Sequence, residues 1–453
     1  GTRIVKIMID GVAVNFRPDL TAFIGPEFIP IEVIERIEVV KGPLSALYGA
    51  NAFLATVNVV TRAAEAGLKL ELSARTHWQT SASEPGYGGS VYATYGSERV
   101  DLSVAASGDA LNRSGLKVSE TFPAQRARFP QLFSDVSRGD VARPASVWLR
   151  LVGKLGGFGR LTFSGGLQNL DSRGEFLLNS VITHKSRMSL LNAWSHLEHV
   201  KEWNDVVTSQ VSLSYSDGRP RSETQLYLRP DDAVYYVPTF SYRALNAAAS
   251  LSFNLGWLKL KAGGDFESDL EHVLWFEPVT LGASVAPDTS SIVTYRTMRT
   301  GGFYLGASGH PFSSLKGLQL TANLRFDLLE YGPVSMPLQY SWRLAASYQA
   351  SESFTVKLIG GRAFQGPSGA LMFAQAGLVG FGGENNVLGQ YDVYSRGLAS
   401  ELLRPQVVHS VEAAVSARPH SVIAIDGSLF FQQVDDKIEF ISQATHFVAT
   451  NTR

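Results

Sequence analysis

The chain of 453 residues is 45% apolar and 18% charged, carries a net charge of −1 and contains no cysteine. This composition excludes disulfide scaffolds, thiol catalysis, iron–sulfur clusters and Cys-ligated zinc, and without basic blocks it gives no reason to propose a nucleic-acid partner. No run of 18 apolar residues occurs, which excludes a transmembrane helix; the choice is between roughly two to four soluble domains and one large β-barrel, whose alternating strands would average to the observed mean hydropathy near zero.

Val5–Val14, VKIMIDGVAV, reads as a strand turned at Asp10-Gly11. The segment from Ile29 to Arg62 reads as strand, tight turn, short helix, turn and strand. Ile34, Ile37 and Val39–Val40 give an apolar run broken by Glu35, Arg36 and Glu38, which predicts a strand with one buried face. Lys41-Gly42-Pro43 breaks it. Pro43 stands where a helix begins and Gly49 where it ends, with Leu44 to Tyr48 between them. Val57 to Thr61 alternates again as a second strand.

At these residues the chain resembles the TonB-dependent outer-membrane receptors of Gram-negative bacteria. IERIEVVKGPLSALYGANAFLATVNVVTR is very like the end of their plug domain, and VKIMIDGVAV is similar to an upstream plug strand. The resemblance implies an all-β membrane protein with a small α/β plug inside a large antiparallel barrel: residues 1–66 as the C-terminal part of the plug, and 67–453 as a transmembrane barrel incomplete at its C-terminus. The start is read as processed or incomplete, because neither a signal peptide nor the family's TonB box precedes Gly1. The end at Asn451-Thr452-Arg453 lacks the terminal aromatic residue of family barrels.

From Leu68 the period changes to two. Val207, Ser209, Val211, Leu213 and Tyr215 oppose Thr208, Gln210, Ser212, Ser214 and Ser216; Leu258, Leu260, Ala262, Gly264 and Phe266 oppose Lys259, Lys261, Gly263, Asp265 and Glu267; Leu318 to Leu328 alternates with Gln319, Thr321, Asn323, Arg325 and Asp327. The polar set suits a wet lumen and the other set suits lipid. Short connections near Ser97, Gly156, Lys201–Trp203, Gly256, Gly309–Ser314, Ala350–Glu352 and Arg418–His420 alternate with long ones, the last of them Phe364–Pro405. No repeat of about 40–50 residues supports a propeller. The pattern gives about fifteen or sixteen strands where related receptors have about twenty-two. Gly361 to Pro367, GRAFQGP, and Leu403-Arg404-Pro405-Gln406 with Glu412 resemble two barrel segments of the family, with Gln365 and Gln406 departing from its usual Arg and Glu.

The resemblance implies a latch between basic plug residues and barrel glutamates: Arg36 and Lys41, with Glu38 between them, against Glu412, or Arg36 against another lumen acid such as Glu267. Removing one partner of such a buried pair costs about 3–5 kcal/mol. Gly42, Pro43, Tyr48 and Gly49 shape the plug turn and helix. Candidate ligand contacts are Arg362, Phe373, Phe381, Tyr391, Tyr394 and Arg396, since ring faces and guanidinium forks suit planar or anionic ligands. Other signals carry less. GLVGFGG at 377–383 lacks the context of a dinucleotide loop, the histidines lack metal-ligand spacing, and Asp231-Asp232 and Asp435-Asp436 read as acidic loop tips. No catalytic set, metal or cofactor is expected.

The function implied is uptake of a scarce siderophore, cobalamin or oligosaccharide across the cell outer membrane. Its partners would be TonB, outer-membrane lipid and lipopolysaccharide, the small-molecule or oligosaccharide ligand, and other outer-membrane or surface lipoprotein subunits. The alternative is a non-transporting subunit that anchors a larger outer-membrane assembly.

Overall fold

The structure, a computed structural model, describes residues 4–18, 20, 25, 27–78, 85–112, 140–173, 176–178, 181–183, 186–227, 234–280, 294–373, 375–376, 389–395, 397, 399–443 and 446–452. The N-terminal unit is a four-stranded sheet of β1 (Val5–Ile9), β2 (Val12–Ala13), β3 (Ile34–Lys41) and β4 (Ala55–Thr61), ordered β2-β1-β4-β3. Asp10 and Gly11 make the two-residue turn of the β1–β2 hairpin, both with positive φ (48° and 84°), as such a turn requires. The Asp10 carboxylate then accepts from the Thr61 amide (2.8 Å) and hydroxyl (2.6 Å), tying the turn to the end of β4.

Between β3 and β4 lies α1 (Ser45–Tyr48), one residue shorter than the sequence predicts. It is closed by Gly49 (φ 76°, ψ −171°), a conformation that excludes side chains. The predicted buried face of β3 holds only in part: Ile34 packs against the core and Val40 is half-buried, but Ile37 and Val39 are 56% and 57% exposed. β3 is the sheet's edge strand: Ile37 and Val39 share the face of Val59 and Val57, their partners on β4, but lie at its exposed margin, while Glu38 turns toward Asn58 of β4.

Among the described residues fifteen long strands form the wall: β5 (Gly67–His77), β6 (Gly86–Gly96), β7 (Val100–Asn112), β8 (Ala145–Lys154), β9 (Arg160–Arg173), β10 (Arg187–Glu202), β11 (Val207–Pro220), β12 (Ser241–Asn254), β13 (Leu258–His272), β14 (Tyr295–Gly309), β15 (Leu318–Tyr331), β16 (Gln339–Ser351), β17 (Phe354–Gln365), β18 (Gln406–His420) and β19 (Ile423–Asp435). Each is antiparallel to the next, and together they curl into a barrel. Residue registers run unbroken from β5 to β19. Strands β5 and β19 are exposed along nearly their whole length on both faces.

Seven short turns, after β6, β8, β10, β12, β14, β16 and β18, lie at one end, where the sequence places them. The long connections gather at the other. There, short strands at Leu226–Tyr227, Val234–Pro238, Leu274–Thr280 and Gln375–Ala376 form a small sheet above the rim.

The two faces of the wall separate as the alternation predicts. Leu213 is 49% and Leu328 60% exposed on the outside, whereas Arg325 and Asp327 are 2% and 0% exposed on the inside. A continuous outer band of leucine, phenylalanine and valine far exceeds the apolar patches of soluble monomers. It is the surface a bilayer covers.

The N-terminal sheet sits inside this wall. Ile7, Ile9, Val12, Val14, Ile29 and Val33 pack against Tyr92, Ala105, Trp148 and Trp194 of β6, β7, β8 and β10. On the opposite side Phe53 packs with Ala363 and Val408. Toward the long-loop end Phe16 meets Phe240 and Tyr242 edge-on, with ring centroids 5.6 and 5.2 Å away.

Candidate functional site

The plug meets the wall most closely along residues 42–52. Gly42 (φ 91°) presents bare backbone where a side chain would reach Arg343 and Ser410. Pro43 lies against Gly361, and its carbonyl accepts from Arg343 Nη1 (3.2 Å). Ser45 is fully buried and donates to the Phe364 carbonyl (3.2 Å). Each of these polar tethers holds plug backbone or its hydroxyl to β16 or β17. A hydrogen bond of this kind contributes about 0.5–1.5 kcal/mol.

At the foot of α1 lies a cluster of charge. Arg325 of β15 donates to Asp265 through Nη1 (2.6 Å) and Nη2 (2.8 Å) and to Asp327 through Nε (2.8 and 3.0 Å). The guanidinium is thus saturated by two carboxylates. Gly49 rests on it: a methyl group there would come within 3.2 Å of Nη2. Next to it, plug Arg17 donates to Glu267 of β13 (2.9 Å) with side-chain exposures of only 11% and 23%. Lys6 Nζ donates to the Tyr48 carbonyl (2.6 Å). These groups border a cleft of about 250 Å³ between plug and wall, which also takes in His196, Ser214, Asn246 and Tyr304.

Electrostatics inside the plug follow from this packing. Burial pulls the Lys6 ammonium below its usual range, against the opposing pull of Glu267 and Asp265. Burial also works against Arg17, but Glu267 and Asp269 outweigh it and hold the guanidinium charged. On the far side, burial would raise Glu32; the hydroxyls of Ser90 and Ser73 and the Arg75 charge hold its carboxyl below the ordinary range. There Gln168 donates to the Phe28 carbonyl (2.8 Å), and Arg62 bridges the Glu32 carbonyl (2.7 Å) and Glu71 (3.0 Å).

The expected latch is drawn differently. Arg36 is 55% exposed and pairs with Glu38 and Glu35 on its own strand, not with Glu412 or Glu267. The latter belongs to Arg17. Lys41 is exposed. Glu412 does face the lumen, half-buried between the outward Val411 and Ala413, but among the described residues it forms no ion pair with the plug. The alternation marked only the wall's share of this cluster, with Asp265 and Glu267 on the polar face of one strand and Arg325 and Asp327 on that of a strand two places along the wall; nothing in the sequence singled out Arg17.

The candidate ligand contacts also divide. Arg362 shares the outward face of β17 with Val356 and Leu358, so it is not presented to the lumen; its guanidinium donates to the Tyr340 carbonyl and lies 3.9 Å from the centre of that ring. Phe373 ends α2 (Gly369–Phe373) and is buried with Met298, Leu329 and Tyr331. Tyr391 lies near the start of α3 (Gln390–Ser395), 5.6 Å from Phe373 between ring centres, and Tyr394 is exposed. Phe381, Arg396, GLVGFGG at 377–383 and Asp231-Asp232 lie outside the described residues. Asp435 accepts from Gln433 and Asp436 from Arg404. Among the described residues no three acidic or histidine side chains gather as a metal site.

Two family descriptions match the chain: "TonB dependent receptor-like, beta-barrel" over residues 152–452 and "TonB-dependent Receptor Plug Domain" over residues 1–56. The chain is similar to the vitamin B12 transporter BtuB of Vibrio vulnificus, 41% identical over 61 residues, a match spanning 14% of this chain and 10% of that protein. Among solved structures it resembles the ferric enterobactin receptor PfeA of Pseudomonas aeruginosa (TM-score 0.74, 17% identity, 100% of this chain and 69% of that one). It also resembles the siderophore receptor PirA of Acinetobacter baumannii (TM-score 0.72, 14% identity, 100% and 69%). At these identities the likeness is one of fold.

Proposed function

The chain belongs to the TonB-dependent receptor family, and from that premise we propose that it imports a scarce extracellular ligand across the outer membrane of a Gram-negative cell, drawing energy from TonB. The observation that carries the reading is a plug held across the lumen by a few polar tethers and ion pairs, beneath an aromatic and guanidinium cluster at the long-loop rim. The ligand is of the siderophore, cobalamin or oligosaccharide class. Lipid and lipopolysaccharide surround the outer band, and the action is binding and translocation with no covalent step.

Ion pairs suit such a plug. In a wet lumen they exchange for hydration at small net cost, so a pull can break them, yet each holds its geometry strictly while formed. Separating Ile7, Val33 and their apolar wall partners takes more free energy, at about 25 cal/mol per Å² exposed.

The test is growth under iron or cobalamin limitation, in a host stripped of its own receptors and carrying the full-length protein, with and without TonB. Rescue by one of catecholate, hydroxamate or citrate iron complexes, cobalamin or maltodextrin, lost without TonB, is expected. Failure of every ligand would overturn uptake in favour of an anchoring subunit.

A further inference from the structure

We propose that the outer face of the wall holds one anionic, two-chain phospholipid of the periplasmic leaflet, seated in a pair of hollows between β12 and β18. Small residues make the hollows. Leu260, Ala307, Ala322, Leu344, Gly360 and Val411 follow one another in register across β13 to β18 on the outward face, and at 307, 322 and 360 the side chain is a methyl group or absent. Two adjoining hollows of about 590 Å³ each result. They share Ala307, Ala322, Trp342 and Leu344 and then part, one toward Leu358, Gly360 and Val411 and the other toward Phe253, Leu260 and Ala262. The Trp342 ring lies over Gly360, within 3.6 Å of where a Cβ would stand, so the absent side chain lets the indole lie along the wall.

An acyl chain fills such a hollow closely, and an unfilled lining forfeits its dispersion contacts. Hollows that part from one shared floor fit two chains joined at one end. The head group follows from the foot. The first hollow reaches down to Trp257 and Pro311 at the short-turn end, the periplasmic end of such barrels. The turn there, residues 310–317, carries His310 and Lys316, both exposed, and no acid. Among the described residues Lys316 has no hydrogen-bond or ion-pair partner. His310 is fixed beneath the hollow: its amide donates to the Trp257 carbonyl (2.9 Å) and its Nδ1 to the Leu318 carbonyl (3.0 Å). Trp257 is 59% exposed, at the depth where indole rings meet head groups. An unpaired ammonium beside an indole N–H at the mouth of an apolar hollow suits a lipid phosphate and favours a net negative head group.

The site depends on the wall and not on the uptake reading, and native mass spectrometry of the full-length protein in detergent tests it. The probes are palmitoyl-oleoyl phosphatidylglycerol, its single-chain lyso form, and the zwitterionic phosphatidylethanolamine with the same chains. Wild type is expected to retain one phosphatidylglycerol, with the lyso form held at least tenfold more weakly because it fills one hollow. Ala322→Phe puts a ring where the hollows join and should weaken retention at least tenfold. Ala249→Phe, on the same outward face of β12 but outside the hollows, should leave it unchanged. Lys316→Glu should lower the preference for phosphatidylglycerol over phosphatidylethanolamine about threefold. No retained phospholipid in wild type, equal retention in wild type and Ala322→Phe, or an equal loss in Ala249→Phe overturns the site. Lipopolysaccharide retained in place of the phospholipid, or a dimer of the chain that Ala322→Phe dissociates, overturns it as well.

Discussion

Replacing Arg325 by alanine tests the charge cluster beneath α1. The wild-type guanidinium is 2% exposed and spends its donors on Asp265 and Asp327, at 2.6 to 3.0 Å. Without it two carboxylates face each other in the wall with only the Lys6 ammonium of the plug left nearby as counter-charge, and losing one partner of a buried pair costs about 3–5 kcal/mol. Asp265 keeps 22% of its side-chain surface, so the lower end, about 3 kcal/mol, is expected. Adding Asp327→Asn removes one of the opposed charges and should recover a third or more of the loss, a coupling within the range of about 0.5–3 kcal/mol seen for contacting residues. Urea unfolding in liposomes, followed by tryptophan fluorescence, reads both variants. Arg325→Ala within about 1 kcal/mol of wild type, or a double variant no better than the single, would refute the reasoning.

Arg17→Ala should destabilise the plug by about 3 kcal/mol and raise baseline conductance in planar bilayers, since the Glu267 contact is among those holding the plug across the lumen. Arg36→Ala should leave both the melting temperature and the closed baseline as they are, because its partners are exposed neighbours on the same strand. Gly49→Ala should cost about 1–3 kcal/mol in melting experiments, from a backbone conformation open only to glycine and from crowding of Arg325. Glu32 has a folded pKa held below its unfolded value, so its stabilisation is present above about pH 4.3 and is lost as pH falls through the folded value. Thermal melting from pH 7 to pH 3 should therefore drop more for wild type than for Glu32→Gln; parallel curves would remove the Ser90–Glu32 contact from the account.

Local signals made the plug segment readable. The Asp-Gly turn, the Gly42-Pro43 break and the Gly49 stop each demand a particular backbone, and the structure puts them within a residue or two of where the sequence does. Wall faces were readable for a similar reason: one slip of register would place Arg325 and Asp327 in lipid. Pairings across the lumen were not. Whether Glu267 meets Arg17 or Arg36 depends on strand tilt and on how the plug sits, and nothing within either segment encodes that height. Ile37 and Val39 misled because an apolar strand pattern does not say whether the strand is central or at an edge. Arg362 is the reverse case, since alternation from Val356 and Leu358 already carried it outward.

The most direct measurement exploits the absence of native cysteine. Single spin labels placed in turn from Gln210 to Ser216 and from Ala322 to Leu328, in the receptor reconstituted into bilayers, would be relaxed by oxygen, which concentrates in lipid, or by a water-soluble nickel chelate. Labels at 211, 213, 215, 322, 324, 326 and 328 should respond to oxygen, and the intervening ones to nickel or, beneath the plug, to neither. Equal response along both strands, or loss of oxygen access at the leucines, would contradict a wall with one face in lipid and one around a seated plug.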